Sequence, residues 1–261
     1  MHTLQSLTRD LRALGVEPGE VLLVQGSLKS IGPVEGGART VIAALRAALG
    51  DHGTLVAYAA TPENSVTSRV DRQHTEGMDE AELAAYRAAM PAFDPLTTPV
   101  SPSVGRLGEE VRLLAGALRS AHPHTSFTAF GPAARFVTDG HALESPLGED
   151  SPTARLYDLR ARALLIDVDP WVCTAYHLAG YRAVPPPDCP YQAVVRTEDG
   201  GKEWVHFEAP DIDDRHFPGP VPVVASECTV LDGPLGGAAC HLVPIADAVD
   251  VIAKWRLSNG R

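Results

Sequence analysis

The stretch Ala163-Leu164-Leu165-Ile166-Asp167-Val168-Asp169-Pro170-Trp171-Val172-Cys173-Thr174-Ala175-Tyr176-His177-Leu178-Ala179-Gly180-Tyr181-Arg182 decides the reading of the chain. Ala163 to Val168 is a short apolar run bounded by charge and by Pro170, the pattern of a buried strand. Thr174 is placed to cap a helix over Ala175 to Arg182, which puts His177 in its first turn. Ligands of open α/β sheets bind at the carboxyl ends of strands, so His177 stands at a catalytic address. A capping or surface histidine packed beside Tyr176 and Tyr181 fits the same residues equally well.

Outward from there, the amino-terminal part repeats the strand–loop–helix pattern. Leu4, Leu7, Leu11 and Leu14 recur at helical spacing, and Gly15 is a carboxyl-terminal cap. Val21-Leu22-Leu23-Val24 is a strand without a polar face. It runs into the small-residue loop Gln25 to Thr40 and then a helix over Val41 to Leu49. Converging backbone N–H groups and a helix amino terminus attract anions, with Lys29 and Arg39 as nearby charges. The spacing matches no nucleotide-binding fingerprint, and Gly36-Gly37 alone reads more readily as a tight turn. A second buried strand, Leu55 to Tyr58, follows Gly53-Thr54. The economical architecture is α/β: a single domain over residues 1–261, with a central mixed sheet flanked by helices.

Acidic residues outnumber basic ones by 33 to 22, a formal charge of -11. Nucleic acid and anionic membranes are therefore excluded as expected partners, and a cationic ligand is favoured. No apolar run approaches a membrane span, and the polar–apolar alternation of Met1 to Leu14 is not a signal peptide, so the expected location is cytoplasmic. Cys173, Cys189, Cys228 and Cys240 are too scattered for a zinc ribbon or a disulfide framework and read as reduced thiols.

Residues 61–102 break the rhythm, with a helix over Asp79 to Met90 and a proline-rich end. They have too few apolar residues for a core of their own, and read as a helical and loop excursion over the site. A further helix is expected over Val104 to Leu118, then an irregular strand over Arg119 to Gly131. His122 and His124 would share a face of that strand, as metal ligands do, but Pro123 interrupts it and no third ligand lies nearby, so no metal is expected. Tyr191 to Arg196 and Glu203 to Phe207 form a hairpin about Asp199-Gly200-Gly201, delivering Glu208 at its end, with Asp211, Asp213 and Asp214 just beyond. For at least two of these aspartates a solvated turn is the simpler reading. Gly236 to Leu242 closes the sheet, and Ile245 to Leu257 is an amphipathic helix.

Several pieces together resemble the aminoglycoside N3-acetyltransferases, acetyl-CoA-dependent antibiotic-modifying enzymes distinct from the GNAT fold. They are Gly26 to Ala38, Gly53-Thr54-Leu55-Val56, Asp94 to Pro99, Arg119 to Pro123, Ser151-Pro152 with Leu156-Tyr157, and Cys173 to Ala179, in the family's order across nearly the whole chain. The resemblance implies that acetyl-CoA lies against Ser27, Lys29, Ser30, Gly36 and Gly37 and the segments at Ser103, Val104 and Ser126. It implies His177 as catalytic histidine and Glu208 as its glutamate, a general-base dyad acting on the 3-amino group of an aminoglycoside. On the substrate side stand Tyr58, Asp71, Asp211, Asp213 and Asp214, in a monomer or homodimer. A backbone N–H near Ser27 or the side chain of Thr174 would supply the oxyanion donor. Two departures stand out: Gly180 replaces the family's glutamate after His-Leu-Ala, and Gln25-Gly26 replaces its histidine before the first serine of the early loop. Other classes remain open: an acetyltransferase for another small amine, a non-enzymatic binder of a cationic ligand, or a metal hydrolase using His122 and His124.

Overall fold

Val21 to Val24 lack a polar face because the strand they begin has helices on both sides. In the computed structural model, which describes residues 1–66, 68–212 and 217–259, the chain opens with α1 (Leu4–Leu14). Thr3 caps it in a reciprocal box with Ser6, and Gly15 ends it in the left-handed conformation at φ 106°. Next come β1 (Val21–Gly26), α2 (Ala38–Leu49) and β2 (Thr54–Tyr58). The excursion carries α3 (Arg69–Thr75) and α4 (Glu80–Ala89). The helix expected over Val104 to Leu118 is shorter, α5 (Leu107–Arg112), preceded by a 3-10 turn at Pro102–Val104. Positive φ at Gly105 and Gly116 bounds it on both sides.

The segment expected as one irregular strand is two, β3 (Leu118–Arg119) and β4 (Phe127–Phe130), paired antiparallel. Helices α6 (Ala134–Thr138) and α7 (Pro152–Asp158) lead into β5 (Arg162–Ile166). A 3-10 turn at Thr174–Tyr176 precedes α8 (His177–Arg182). The hairpin β6 (Asp188–Arg196) and β7 (Lys202–Pro210) forms a sheet of its own. The chain closes with α9 (Val221–Glu227), β8 (Leu231–Leu235), β9 (Ala238–Pro244) and α10 (Ile245–Asn259).

The main sheet has seven strands in the order β3-β4-β2-β1-β5-β9-β8. Among the described residues only the β2–β1 and β1–β5 strand pairings are parallel, and antiparallel pairings complete both flanks. Strand periodicity sends Leu22 and Val24 to one face, where they join Leu7, Leu11, Val41, Leu45 and Val111 of α1, α2 and α5. It sends Leu23 to the other, with Leu156, Leu178, Val249 and Ile252 of α7, α8 and α10. The sheet is thus buried between two helical layers.

The excursion lies against the hairpin. The Phe93 N–H donates to the Val194 carbonyl at 2.8 Å, the Arg196 N–H to Phe93 at 2.9 Å, and Asn64 Nδ2 to Val194 at 2.9 Å. Arg119 fastens it to the main sheet, donating from Nε to Ser126 Oγ (2.9 Å) and from its terminal nitrogens to the carbonyls of Thr98 (2.5 Å) and Ala59 (2.6 Å). No side chain of α4 is buried, in keeping with an excursion that has no core of its own.

Under the hairpin lies a knot of buried histidines. His122 Nδ1 accepts the N–H groups of His124 (3.1 Å) and Thr125 (3.2 Å), so its proton sits on Nε2, facing the Leu143 carbonyl at 3.2 Å. His141 lies between the Ser120 hydroxyl at 2.9 Å and the Pro146 carbonyl at 3.0 Å. Phe207 packs its ring 5.7 Å from both His122 and His124. Desolvation holds all three imidazoles neutral, pushing His124 and His141 down to about 4 and His122 well below its usual value. Unfolding frees them to bind protons that the folded state refuses. Their contribution is therefore complete above about pH 6.5 and is lost as pH falls toward about 4, at up to roughly 1.4 kcal/mol per histidine per pH unit. Urea midpoints should drop steeply between pH 6.5 and 4.5, and the slope should shrink in His141→Gln; equal slopes in parent and variant would remove His141 from this account.

At the end of β1 the backbone of Gly26 has φ 129°, and a Cβ there would stand 2.1 Å from the Ile166 carbonyl oxygen. Gly19 has φ 88° with open space around it. Gly19→Ala should cost only the left-handed strain, about 1–2 kcal/mol. Gly26→Ala adds a backbone clash and should cost several kcal/mol more by urea denaturation. Equal losses would show that β1 and β5 are free to separate.

Candidate active site

Parallel pairing brings the carboxyl ends of β1 and β5 side by side, with Gln25 opposite Leu165 and Gly26 opposite Ile166. The chain reaches β2 on one side of β1 and β5 on the other, so the strand order reverses here. Open α/β sheets bind ligands in the crevice such a reversal leaves. Residues 26–37 leave β1 at this edge, 167–176 leave β5, and the excursion leaves β2.

His177 is the first residue of α8 and is half-buried at this edge. The ring of Phe217 meets its imidazole edge-on, with centroids 4.7 Å apart and planes at 80°. Tyr176 is fully buried and makes a similar contact with Phe217 at 6.3 Å, so one phenylalanine steadies both neighbours. Phe217 follows the acidic segment in an irregular stretch with no periodicity, which left the sequence without a signal for it. Thr174 is not the expected helix cap. It opens the 3-10 turn, and its side chain points to the strand layer, where it accepts from Gln25 Nε2 at 2.6 Å.

The expected pairing of Glu208 with His177 is not formed. In β7 the side chains of Phe207 and Ala209 are buried, so two-residue periodicity turns Glu208 outward, exposed, opposite Pro190. No hydrogen bond or ion pair joins it to His177 among the described residues. Asp211 is exposed just past the hairpin. Asp213 and Asp214 lie outside the described residues.

The cofactor-side residues divide. Ser27, Ser30 and Val104 are half-buried, while Lys29, Gly36 and Gly37 are exposed along the loop that ends at α2. Exposed Ser103 bonds to Ser101 Oγ through its hydroxyl at 2.6 Å and its N–H at 3.0 Å. The Ser27 N–H is taken up by the Ile166 carbonyl at 2.9 Å, which removes it as an oxyanion donor. Ser126 is fully buried, and its hydroxyl is already engaged by Ala59 and Arg119, which makes it a brace for the excursion.

On the substrate side, Tyr58 ends β2 with its ring 5.1 Å from Phe127 and its phenol pushed up by burial. Asp71 is also buried. Desolvation raises its carboxyl, opposed by Arg87 and by a hydrogen bond with Tyr86, so it ties α3 to α4 and presents no charge at the surface. Gly180 is buried in α8, and a Cβ there would lie 3.9 Å from the Arg256 guanidinium. Among the described residues, no cluster of three or more His, Cys, Asp or Glu side chains is placed to hold a metal, and the four cysteines are free. No helix there is long and apolar enough to cross a membrane.

The chain is similar in sequence and fold to known proteins. An aminoglycoside N(3)-acetyltransferase III from Salmonella sp is 39% identical over 210 residues, 80% of this chain and 66% of that protein's own length, just under two thirds. The crystal structure of the YokD protein from Bacillus subtilis superposes with a TM-score of 0.91 at 32% identity, covering 99% of this chain and 94% of that one. A structure described as AAC-IIIb binary with CoASH superposes at 0.85 with 28% identity, covering 98% and 97%. A family model described as aminoglycoside 3-N-acetyltransferase matches residues 23–256, and the chain belongs to that family.

Proposed function

We propose that this protein transfers the acetyl group of acetyl-CoA to the 3-amino group of an aminoglycoside, a modification that would confer resistance, with His177 as general base. The observation that carries the reading is the half-buried imidazole at the reversal between β1 and β5, in a chain of this family. The solved relative with bound CoASH supports the donor. The loop after β1 suits that donor: it is built of small residues, carries exposed Lys29 and ends at the amino terminus of α2.

An alkylammonium such as lysine's titrates near 10.4, so at neutral pH the acceptor amine must shed a proton to attack. With that proton lost to solvent, the neutral amine nitrogen bonds to the thioester carbon while His177 takes a second proton from it, and the departing thiolate carries away the electron pair of the C–S bond. Phe217 holds the imidazole in place from its edge, where the sequence reading looked to Glu208. Base assistance of this kind contributes on the order of 10²–10⁴ in rate. In a thiol-release assay, His177→Ala should lose kcat in that range while KM for acetyl-CoA stays unchanged. Parent-like turnover by the variant would end the assignment, and the same assay with a panel of amines identifies the acceptor.

The formal charge of -11 and the exposed carboxylates of Glu208 and Asp211 favour a polycationic substrate. Attraction of this kind is screened beyond about 8 Å at ~0.15 M salt. Replacing Glu208 by Gln and Asp211 by Asn should raise KM for the aminoglycoside at low salt and flatten its salt dependence, with kcat nearly unchanged. A KM and salt profile identical to the parent's would place both carboxylates outside substrate recognition.

A further inference from the structure

We infer that Gln25 is a positioning residue that turns the Thr174 hydroxyl into an obligatory hydrogen-bond donor toward the reacting thioester. The inference rests on the acetyl transfer proposed above. Gln25 is half-buried at the end of β1 and Thr174 is buried at the start of the turn into α8. Two bonds join them: the Thr174 N–H donates to Gln25 Oε1 at 2.9 Å, and Gln25 Nε2 donates to Thr174 Oγ1 at 2.6 Å.

The polarity of this pair follows from donor and acceptor chemistry. A backbone N–H can only donate, so the amide atom facing it is the oxygen, and the NH₂ group must then face Oγ1. Thr174 Oγ1 is thereby made an acceptor toward the strand, and its own proton is directed elsewhere. The remaining polar group of Thr174 is also in use, since its carbonyl receives the His177 N–H. Among the described residues nothing accepts the hydroxyl proton. A buried donor in this state lies one short turn from the proposed base and next to the first residue of the loop proposed for the donor substrate. Together with the Ser27 N–H being bonded to Ile166, this makes Thr174 the donor to the oxyanion.

The step balances without a further reactant. As the amine nitrogen bonds to the thioester carbon, the carbonyl π pair moves onto oxygen, and the Thr174 hydroxyl stabilises that charge by a hydrogen bond without giving up its proton. The pair returns as the C–S bond breaks, and the proton held on His177 goes to the thiolate.

Gln25→Glu separates orientation from structure, because a carboxylate keeps the shape and still accepts the Thr174 N–H. Its second oxygen also accepts, which draws the Thr174 proton inward and away from the substrate. This variant should keep the parent's Tm and KM for acetyl-CoA while kcat falls roughly 10²–10³-fold, as for loss of an oxyanion donor. Thr174→Val should show the same fall, Thr174→Ser should recover most of it, and Gln25→Glu with Thr174→Val should be no worse than either alone. Parent-like kcat in Gln25→Glu, or in Thr174→Val should the first variant fail to fold, overturns the assignment and leaves acetyl transfer standing. Thiol release is followed with an aminoglycoside and with water as acceptors. A parent protein that releases thiol to neither overturns the acyl-transfer reading and this one with it.

Discussion

The closeness of β1 to β5 at their carboxyl ends is the constraint on which the cleft depends. Five consecutive register pairs, from Leu22 with Arg162 to Gly26 with Ile166, hold the strands together to their last residues. The next residue still bonds across, from the Ser27 N–H to Ile166. Only a residue without a Cβ can complete this, because any side chain at Gly26 would enter the peptide of Ile166. A strand pair that stays closed to its end sends both outgoing loops from one point. That is why the loop after β1 and the turn before His177 share an origin although 149 residues separate Gln25 from Thr174.

Where a residue's surroundings repeat with a simple period, the sequence carried its structure. The apolar run at Val21 to Val24 is central in the sheet, Leu7, Leu11 and Leu14 of α1 face its core while Leu4 at the first turn is exposed, and Gly15 caps that helix as its spacing implies. His177 falls at the carboxyl side of β5 for the same reason, since an apolar strand followed by a helix allows little else. Legibility ends where tertiary pairing decides. Leu231–Leu235 is a mostly exposed run, too short and too broken by Gly233 and Pro234 to announce a strand, and it becomes one because β9 lies beside it. Glu208 was placed by its position after an alternating arm, yet only the identity of the packed face shows where it points, and that face belongs to Phe207.

Thr174 is the clearest case of a misread structural role. Threonine before a helix is ordinarily a cap because its hydroxyl satisfies an orphan N–H two or three residues on. Here a 3-10 turn intervenes, and the partner comes from a different strand, so no local rule could name it. Ser126 shows the converse. The resemblance implies acetyl-CoA against Ser126, but its hydroxyl accepts from the Arg119 guanidinium and donates to the Ala59 carbonyl, so bracing the excursion uses it up.

The histidines draw the same line between scaffold and chemistry. His122 and His141 sit where both ring nitrogens have fixed partners and where charge is opposed by burial, so neither can cycle between protonation states during turnover without breaking the packing of the hairpin. His177 differs in burial: it is half-buried, heads a short helix and meets the edge of Phe217, which restricts its orientation. The base role proposed for His177, accepting a proton and returning it within one reaction cycle, calls for a restricted direction together with partial exposure. The fold supplies it by setting the imidazole at the boundary of the buried layer, one short turn beyond Thr174, whose two bonds to Gln25 tie that turn to β1.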